Sequence, residues 1–137
     1  MNVFLDTNIL ISAVLNSNST PAKAFIKAVS FPNRGLVCEQ NIDEMRRIFN
    51  RKFPAKIQAL ETFLSLALLT LEVVNIPELE YTSENNIRDI NDRAILRAAI
   101  FAKADVLVTG DKDFLESDIV NPKILTAAEF LDFESKK

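Results

Sequence analysis

The sequence predicts an α/β fold, a three-layer α/β/α sandwich around a central, mainly parallel sheet. Short apolar runs alternate along the chain with longer segments of helical periodicity, which is the pattern of β-α-β units. Most of the apolar runs are continuous rather than alternating, as in strands that helices cover on both faces. The chain has 137 residues, of which 48% are hydrophobic and 26% charged, so we expect one globular domain over residues 1–137.

Aliphatic residues dominate five segments that we predict to be strands. Helical patterns separate them, and parallel pairing is therefore favoured, because parallel strands need long crossover connections. The predicted strands are residues 2–6, 35–39, 71–76, 105–109 and 123–126.

Helical spacing of apolar residues predicts six helices between and after these strands. Thr20 is the expected N-cap of the second helix, with Pro21 at its first position, and Asn41 is the expected N-cap of the third. The fifth helix is apolar nearly all round, and Arg93 and Arg97 are expected on one exposed stripe. The predicted helices are residues 8–17, 20–31, 41–53, 54–68, 91–104 and 127–133.

Composition excludes several classes of active site. The chain has no histidine, which removes Ser-His and Cys-His catalysis and histidine-ligated zinc sites. Its two glycines, Gly35 and Gly110, are too few for a dinucleotide-binding fingerprint and too far apart in sequence for a Walker A loop. A single cysteine, with no signal-peptide or transmembrane pattern, leads us to expect a cytoplasmic protein without a membrane partner.

Acidic residues follow two of the predicted strands. Asp6 comes directly after the first strand, and Asp111 and Asp113 follow the fourth strand and Gly110. Ligands of open parallel sheets bind outside the carboxyl ends of the strands, so these carboxylates are candidates for a site. Each also has a structural alternative, because Asp6 can cap the next helix and the other two can belong to an ordinary turn.

Further acids are expected near the same edge of the sheet. Asp89 and Asp92 lie at the start of the fifth predicted helix, and Glu44 lies on the third. Here too a structural role is an alternative. Asp92 can cap its helix, Asp89 can be a loop acid, and Glu44 can complete a capping arrangement with Asn41 or pair with Arg47.

A group of carboxylates cannot all remain ionised at close range unless a cation neutralises them. Hard oxygen ligands of this kind suit Mg²⁺ or Mn²⁺. Such ions lower the pKa of bound water and stabilise charge during an in-line displacement at phosphorus, and this chemistry needs no histidine. The acidic pattern is therefore consistent with a divalent-metal site for chemistry at phosphorus.

Residues 46–56 form a basic segment in a chain whose net charge is −3. The segment contains no acid, and phosphate contacts by such a patch would weaken with salt. The alternative is a solvated helix face, which is what most charge runs are. The residues expected to contact the phosphates of a nucleic acid are Arg46, Arg47, Arg51 and Lys52.

Four segments, taken in their order along the chain, resemble a PIN domain. They are residues 4–15, 43–53, 91–115 and 124–131. More narrowly, they are similar to the VapC-like toxin ribonucleases of toxin–antitoxin systems. The resemblance implies a PIN-like fold and a metal-dependent endoribonuclease that uses Mg²⁺ or Mn²⁺.

The resemblance also assigns roles to individual residues. Asp6, Glu44, Asp92 and Asp111 match the catalytic acids of the family. Asp113 falls where many members carry a further acid, and the implied metal ligands are Asp6, Asp92, Asp111 and Asp113. Asn8 and Thr109 match polar positions that orient the ligands. In the sequence "RDIND" the ligand can be either Asp89 or Asp92, and the register favours Asp92.

Partners follow from the resemblance as well. It implies an RNA substrate, a cognate antitoxin protein and a homodimer. The expected RNA-binding residues are then those of the basic segment, Arg46, Arg47, Arg51 and Lys52. The alternative is a non-catalytic PIN-like scaffold that binds RNA or a protein, which would give no cleavage and no sensitivity to EDTA.

Overall fold

The computed structural model describes residues 1–134 and contains a sheet of five strands. The strands are β1 (Asn2–Leu5), β2 (Arg34–Cys38), β3 (Glu72–Val74), β4 (Val106–Val108) and β5 (Lys123–Leu125). Their order across the sheet is β3-β2-β1-β4-β5, and all four pairings are parallel. Each predicted strand overlaps one of these, so the predicted parallel sheet is confirmed. Residues 135–137 of the predicted domain 1–137 lie outside the described part.

Seven α-helices surround the sheet, and all six predicted helices are among them. The additional helix α6 and a 3₁₀ segment at Thr82–Asn86 have one or two turns, too short for any periodicity to reveal. Within residues 1–134, none of the helices combines the length and apolarity needed to cross a membrane. The helices are α1 (Thr7–Leu15), α2 (Thr20–Val29), α3 (Glu39–Lys52), α4 (Ile57–Ala67), α5 (Ile90–Phe101), α6 (Lys112–Leu115) and α7 (Ala127–Asp132).

The sheet lies between two hydrophobic cores. Alternate residues of β1 point to opposite faces, so Val3 and Leu5 belong to one core and Phe4 to the other. Buried residues of α1 to α4 and α7 form the first core, and residues of α5 and α6 form the second. The predicted three-layer α/β/α arrangement is therefore confirmed.

Two predicted N-caps are wrong, that of α2 by one residue and that of α3 by three. The N-cap of α2 is Ser19, whose side chain accepts the backbone N–H of Ala22 at 3.2 Å. Helix α3 begins at Glu39, and Asn41 is its third residue. Asn41 Oδ1 accepts the backbone N–H of the N-cap residue Cys38 at 2.9 Å. Asn41 therefore helps to cap α3, but from the third position of the helix and not from the N-cap itself.

The expected exposed stripe of Arg93 and Arg97 is also wrong. The Arg97 side chain is only 14% exposed, and its guanidinium binds the buried Glu84 carboxylate through N–O distances of 2.9 and 3.0 Å. Arg97 Nη1 also donates to the carbonyl of Pro77, and Arg93 Nε donates to that of Ile87. The loop between β3 and α5 packs over this face of α5 and buries it. The residue pattern of α5 alone does not indicate that another segment lies there.

Candidate acidic site

The acidic residues lie at the topological switch point of the sheet, between β1 and β4, where the strand order reverses. From β1 the chain proceeds to β2 and β3 on one side, whereas β4 and β5 lie on the other. The adjacent carboxyl ends of β1 and β4 therefore open into a crevice, the usual ligand position in such sheets. Asp6 follows β1 at this point, and Asp111 follows β4 after Thr109 and Gly110.

Asp6 is buried and held by three hydrogen bonds. It is the N-cap of α1, and its Oδ1 accepts the backbone N–H of Thr7 at 2.8 Å. Its Oδ2 accepts the Thr109 hydroxyl at 2.7 Å and the Asn8 amide at 3.2 Å. Burial, helped by the charges of Glu44 and Asp111, raises the pKa of Asp6 from 3.8 to about 6, although the hydrogen bonds from Thr109 and Thr7 lower it.

Thr109 and Asn8 connect the ends of β1 and β4. The Thr109 hydroxyl is fully buried, donates to Asp6 and accepts the backbone N–H of Asp111 at 3.0 Å. Asn8 Oδ1 accepts the backbone N–H of Gly110 at 3.0 Å. Together these two side chains fix the position of the Asp6 carboxylate relative to the segment that carries Asp111.

Asp92 lies in the first turn of α5, three residues after the N-cap Asp89. Asp89 therefore has the capping role that was one alternative for Asp92. Among the residues that the structure describes, Asp92 Oδ2 is the one buried side-chain oxygen without a hydrogen-bond partner. Burial, followed by the charges of Asp111 and Asp6, raises the pKa of Asp92 from 3.8 to about 8.

Asp89, Asp92 and Asp113 form a compact set of carboxylates. Each offers one oxygen within 4.8 Å of the other two, and in residues 1–134 no other three potential metal-binding side chains are so grouped. Asp111 is the N-cap of α6, where its Oδ1 accepts the backbone N–H of Asp113 at 2.9 Å. The structure thus brings both acids of "RDIND" to the edge, and Asp6 and Asp111 lie beside this set rather than within it.

Glu44 reaches the same edge from α3. Gln40 Nε2 donates to Glu44 Oε1 at 3.1 Å and to the carbonyl of Asn91 at 2.9 Å, which ties α3 to the start of α5. The buried Asn41 amide donates to Thr7 Oγ1 at 2.9 Å and so fixes α3 against α1. In the described part of the chain Glu44 makes no ion pair, so the alternative pairing with Arg47 is not observed.

The predicted basic residues divide into two groups. Arg46 forms an ion pair with Glu61 of α4 at 3.0 Å, away from the acids. Arg47, Arg51 and Lys52 are exposed. Glu44, Arg47 and Arg51 are spaced at i, i+3 and i+7, so they share one stripe of α3. Arg47 also lines a groove of about 400 Å³ between α3 and the start of α5.

Comparison with known proteins decides the family. The sequence model for the PIN domain matches residues 2–113, most of the chain and all five of the acids expected from the resemblance. This chain belongs to the PIN-domain family. Among curated protein sequences, none matches it significantly.

A solved structure shares the fold of this PIN domain. It is a chain in the crystal structure of VapBC2 from Rickettsia felis bound to a DNA fragment from their promoter. The two chains are 21% identical, the TM-score is 0.66, and the match covers 91% of this chain and 97% of the other. At this identity the likeness establishes the fold alone, and it agrees with the three-layer architecture described above.

Proposed function

We propose that this PIN domain is a divalent-metal-dependent endoribonuclease. The observation that carries the proposal is the Asp92 carboxyl group, whose Oδ2 is buried without a partner while Asp6 and Asp111 raise its pKa. When Asp92 is ionised, this unpaired buried oxygen lies among like charges, which is destabilising, and a bound cation removes that cost. A function that requires a bound cation accounts for this otherwise unfavourable grouping of carboxylates.

The donor set fits Mg²⁺ or Mn²⁺, because every candidate ligand is a carboxylate oxygen and the chain has no histidine. The residues that would hold the ion are Asp92 and Asp113, together with Asp6 and Asp111, and the spacing adds Asp89 to those expected from the sequence. When bound, the ion would lower the pKa of a water molecule and stabilise the charge that develops at the phosphodiester.

The remaining groups act by position. Thr109 and Asn8 fix the position of the Asp6 carboxylate and favour its ionised form, since both donate hydrogen bonds to it. Gln40 donates a hydrogen bond to Glu44 and so orients it at the rim of the crevice, and this carboxylate would accept a proton from the attacking water.

The RNA strand would approach along α3. Arg47 and Arg51 continue the stripe of Glu44, and Lys52 extends it, so their charges can contact the phosphates that flank the cleaved bond. Arg46 is held by Glu61 and has a smaller role.

We further propose that the protein is the toxin of a toxin–antitoxin pair in the cytoplasm, silenced by a cognate antitoxin protein and active as a homodimer. The support is the shared fold with a chain of the VapBC2 complex from Rickettsia felis, together with the acidic edge that such a ribonuclease requires.

Cleavage of a mixed RNA pool tests the proposed activity. We expect products with Mg²⁺ or Mn²⁺, none with excess EDTA, and a loss of at least about a hundredfold for Asp6→Asn, as for removal of a group that stabilises the transition state. The fold of this variant should persist because asparagine caps helices as well as aspartate does.

The matched control is Asp132→Asn, an exposed acid at the end of α7, which should cleave like the unchanged protein. Metal-independent cleavage, or full activity of Asp6→Asn, would refute the proposal. Binding without any cleavage would instead support the non-catalytic scaffold.

A further inference from the structure

One ion pair sits on the acidic set itself. Arg88 lies in the loop just before α5, and its Nε and Nη2 donate to Asp113 Oδ1 at 3.1 and 2.6 Å. The Arg88 side chain is 82% exposed, whereas that of Asp113 is 22% exposed. The guanidinium therefore covers, from the solvent side, a carboxylate that belongs to the set of Asp89, Asp92 and Asp113.

The position of Arg88 conflicts with cation binding. A carboxylate oxygen that accepts two charge-assisted hydrogen bonds is a poorer metal ligand, and the positive charge of the guanidinium repels a divalent ion. Besides Asp113, the acids that act on Arg88 are Glu116 and Asp111, so the guanidinium lies within the field of the acidic edge.

The Arg88 side chain is free to leave without moving the backbone that carries it. Arg93 binds the carbonyl of Ile87, and Arg97 binds Glu84 and the carbonyl of Pro77, so other contacts hold this loop on α5. An exposed ion pair is weak because solvent screens it. The pair of Arg88 and Asp113 is thus stable enough to form and weak enough to open.

We propose that Arg88 is a displaceable counter-ion that sets the affinity of this edge for its divalent cation. In the metal-free protein it neutralises Asp113, and it must release this carboxylate before a cation can take it up. The inference rests on the proposed function, because it requires the cation site, and it adds a residue that neither the acidic pattern nor the family resemblance indicates.

Calorimetric titration of the full chain with Mn²⁺ tests this role directly. We expect Arg88→Ala to bind Mn²⁺ about two- to fivefold more tightly than the unchanged protein, the range that corresponds to an exposed ion pair. Arg88→Gln, which keeps most of the side chain, should show the same gain. In an Asp113→Asn background, Arg88→Ala should raise the affinity by clearly less, since the carboxylate over which the two cations compete is gone and only the long-range repulsion of the ion remains.

The matched control is Arg47→Ala, an exposed arginine on α3 that removes the same charge beside Glu44 but pairs with none of the carboxylates of the set. Its effect on Mn²⁺ affinity should be smaller than that of Arg88→Ala. Equal or weaker binding by both Arg88 variants would overturn the inference while leaving the proposed function intact. Absence of Mn²⁺ binding by the unchanged protein would overturn both.

Discussion

At the scale of single residues, structural and functional explanations of an acid are not exclusive. Asp6 is the N-cap of α1, which is the structural role considered for it from the sequence. It also lies close enough to Glu44 and Asp111 for their charges to raise its pKa. From the sequence, the register favours Asp92 over Asp89 as the ligand but leaves both possible, because the two acids lie three residues apart at the start of the same helix. The structure assigns capping to Asp89 and leaves the buried, unpartnered oxygen on Asp92.

Asp92 makes the stability of the metal-free protein depend on pH. Its pKa is about 8 in the folded protein and near 3.8 in the unfolded chain, so the folded state binds the proton more tightly. The stabilising contribution of this group is therefore complete below about pH 4 and is lost as the pH rises through 8. Asp6, with a pKa of about 6, acts in the same direction over a narrower range.

We therefore expect Asp92→Asn to raise the melting temperature of the metal-free protein at pH 8 and to change it little at pH 4. The amide has a similar shape and carries no charge, so it removes the repulsion from Asp111 and Asp6. Thermal melts followed by circular dichroism in EDTA measure this difference, with Asp132→Asn as the control. A lower melting temperature for Asp92→Asn at pH 8 would show that this carboxylate stabilises the fold.

At the scale of elements, the predicted N-caps of α2 and α3 lie one and three residues after the observed ones. The prediction that Asn41 caps α3 names the right side chain but the wrong position. Asn41 is the third residue of the helix, and its side chain reaches back to accept the backbone N–H of Cys38. The loop over α5 was not predicted at all. Its anchor is the pair of Glu84 and Arg97, which are 13 residues apart, and nothing local to either residue indicates the other.

The pair of Arg97 and Glu84 should be a main support of that loop. Arg97→Met leaves the Glu84 carboxylate buried without its partner, and we expect a loss of about 3 kcal/mol in the free energy of unfolding. Changing Glu84 to Gln as well should recover part of this loss, because the buried charge is then gone. Urea denaturation measures both variants.

The control is Arg46→Met, which breaks the exposed pair with Glu61 and should cost less than about 1 kcal/mol. If Arg97→Met were no more destabilising than Arg46→Met, the loop would depend on its apolar contacts, such as those of the buried Ile87, and not on the ion pair.

At the scale of the whole molecule, the sequence predicted that acids follow strands, and the order of the strands determines which acids meet. Asp6 and Thr109 are 103 residues apart in sequence. Their hydrogen bond forms because β1 and β4 are neighbours in the sheet, which brings the carboxyl ends of these two strands together. Continuous apolar runs indicate a buried parallel sheet, but they carry no information about which strands are neighbours. The class of the fold was therefore predictable, whereas the exact composition of the acidic set was not.

The distribution of charge over the molecule predicts how RNA binding responds to salt. The net charge is −3, so a polyanion can bind only where the local charge is positive, and Arg47 and Arg51 supply such a region beside the acids. In the inactive Asp6→Asn background, the logarithm of RNA affinity should fall linearly with that of salt concentration. The slope should be reduced by about 0.7 for each phosphate contact removed, and Arg47→Ala with Arg51→Ala removes two. Fluorescence anisotropy with a labelled single strand measures these slopes.

The matched control removes two charges from the opposite edge of the sheet. Arg34 and Lys123 are exposed at the amino ends of β2 and β5, and their double replacement by alanine changes the net charge by the same amount. If RNA contacts the stripe on α3, this control leaves the salt slope unchanged. Equal slopes for the two double variants would mean that net charge alone governs binding, and the RNA would then have to approach the acids by a different path.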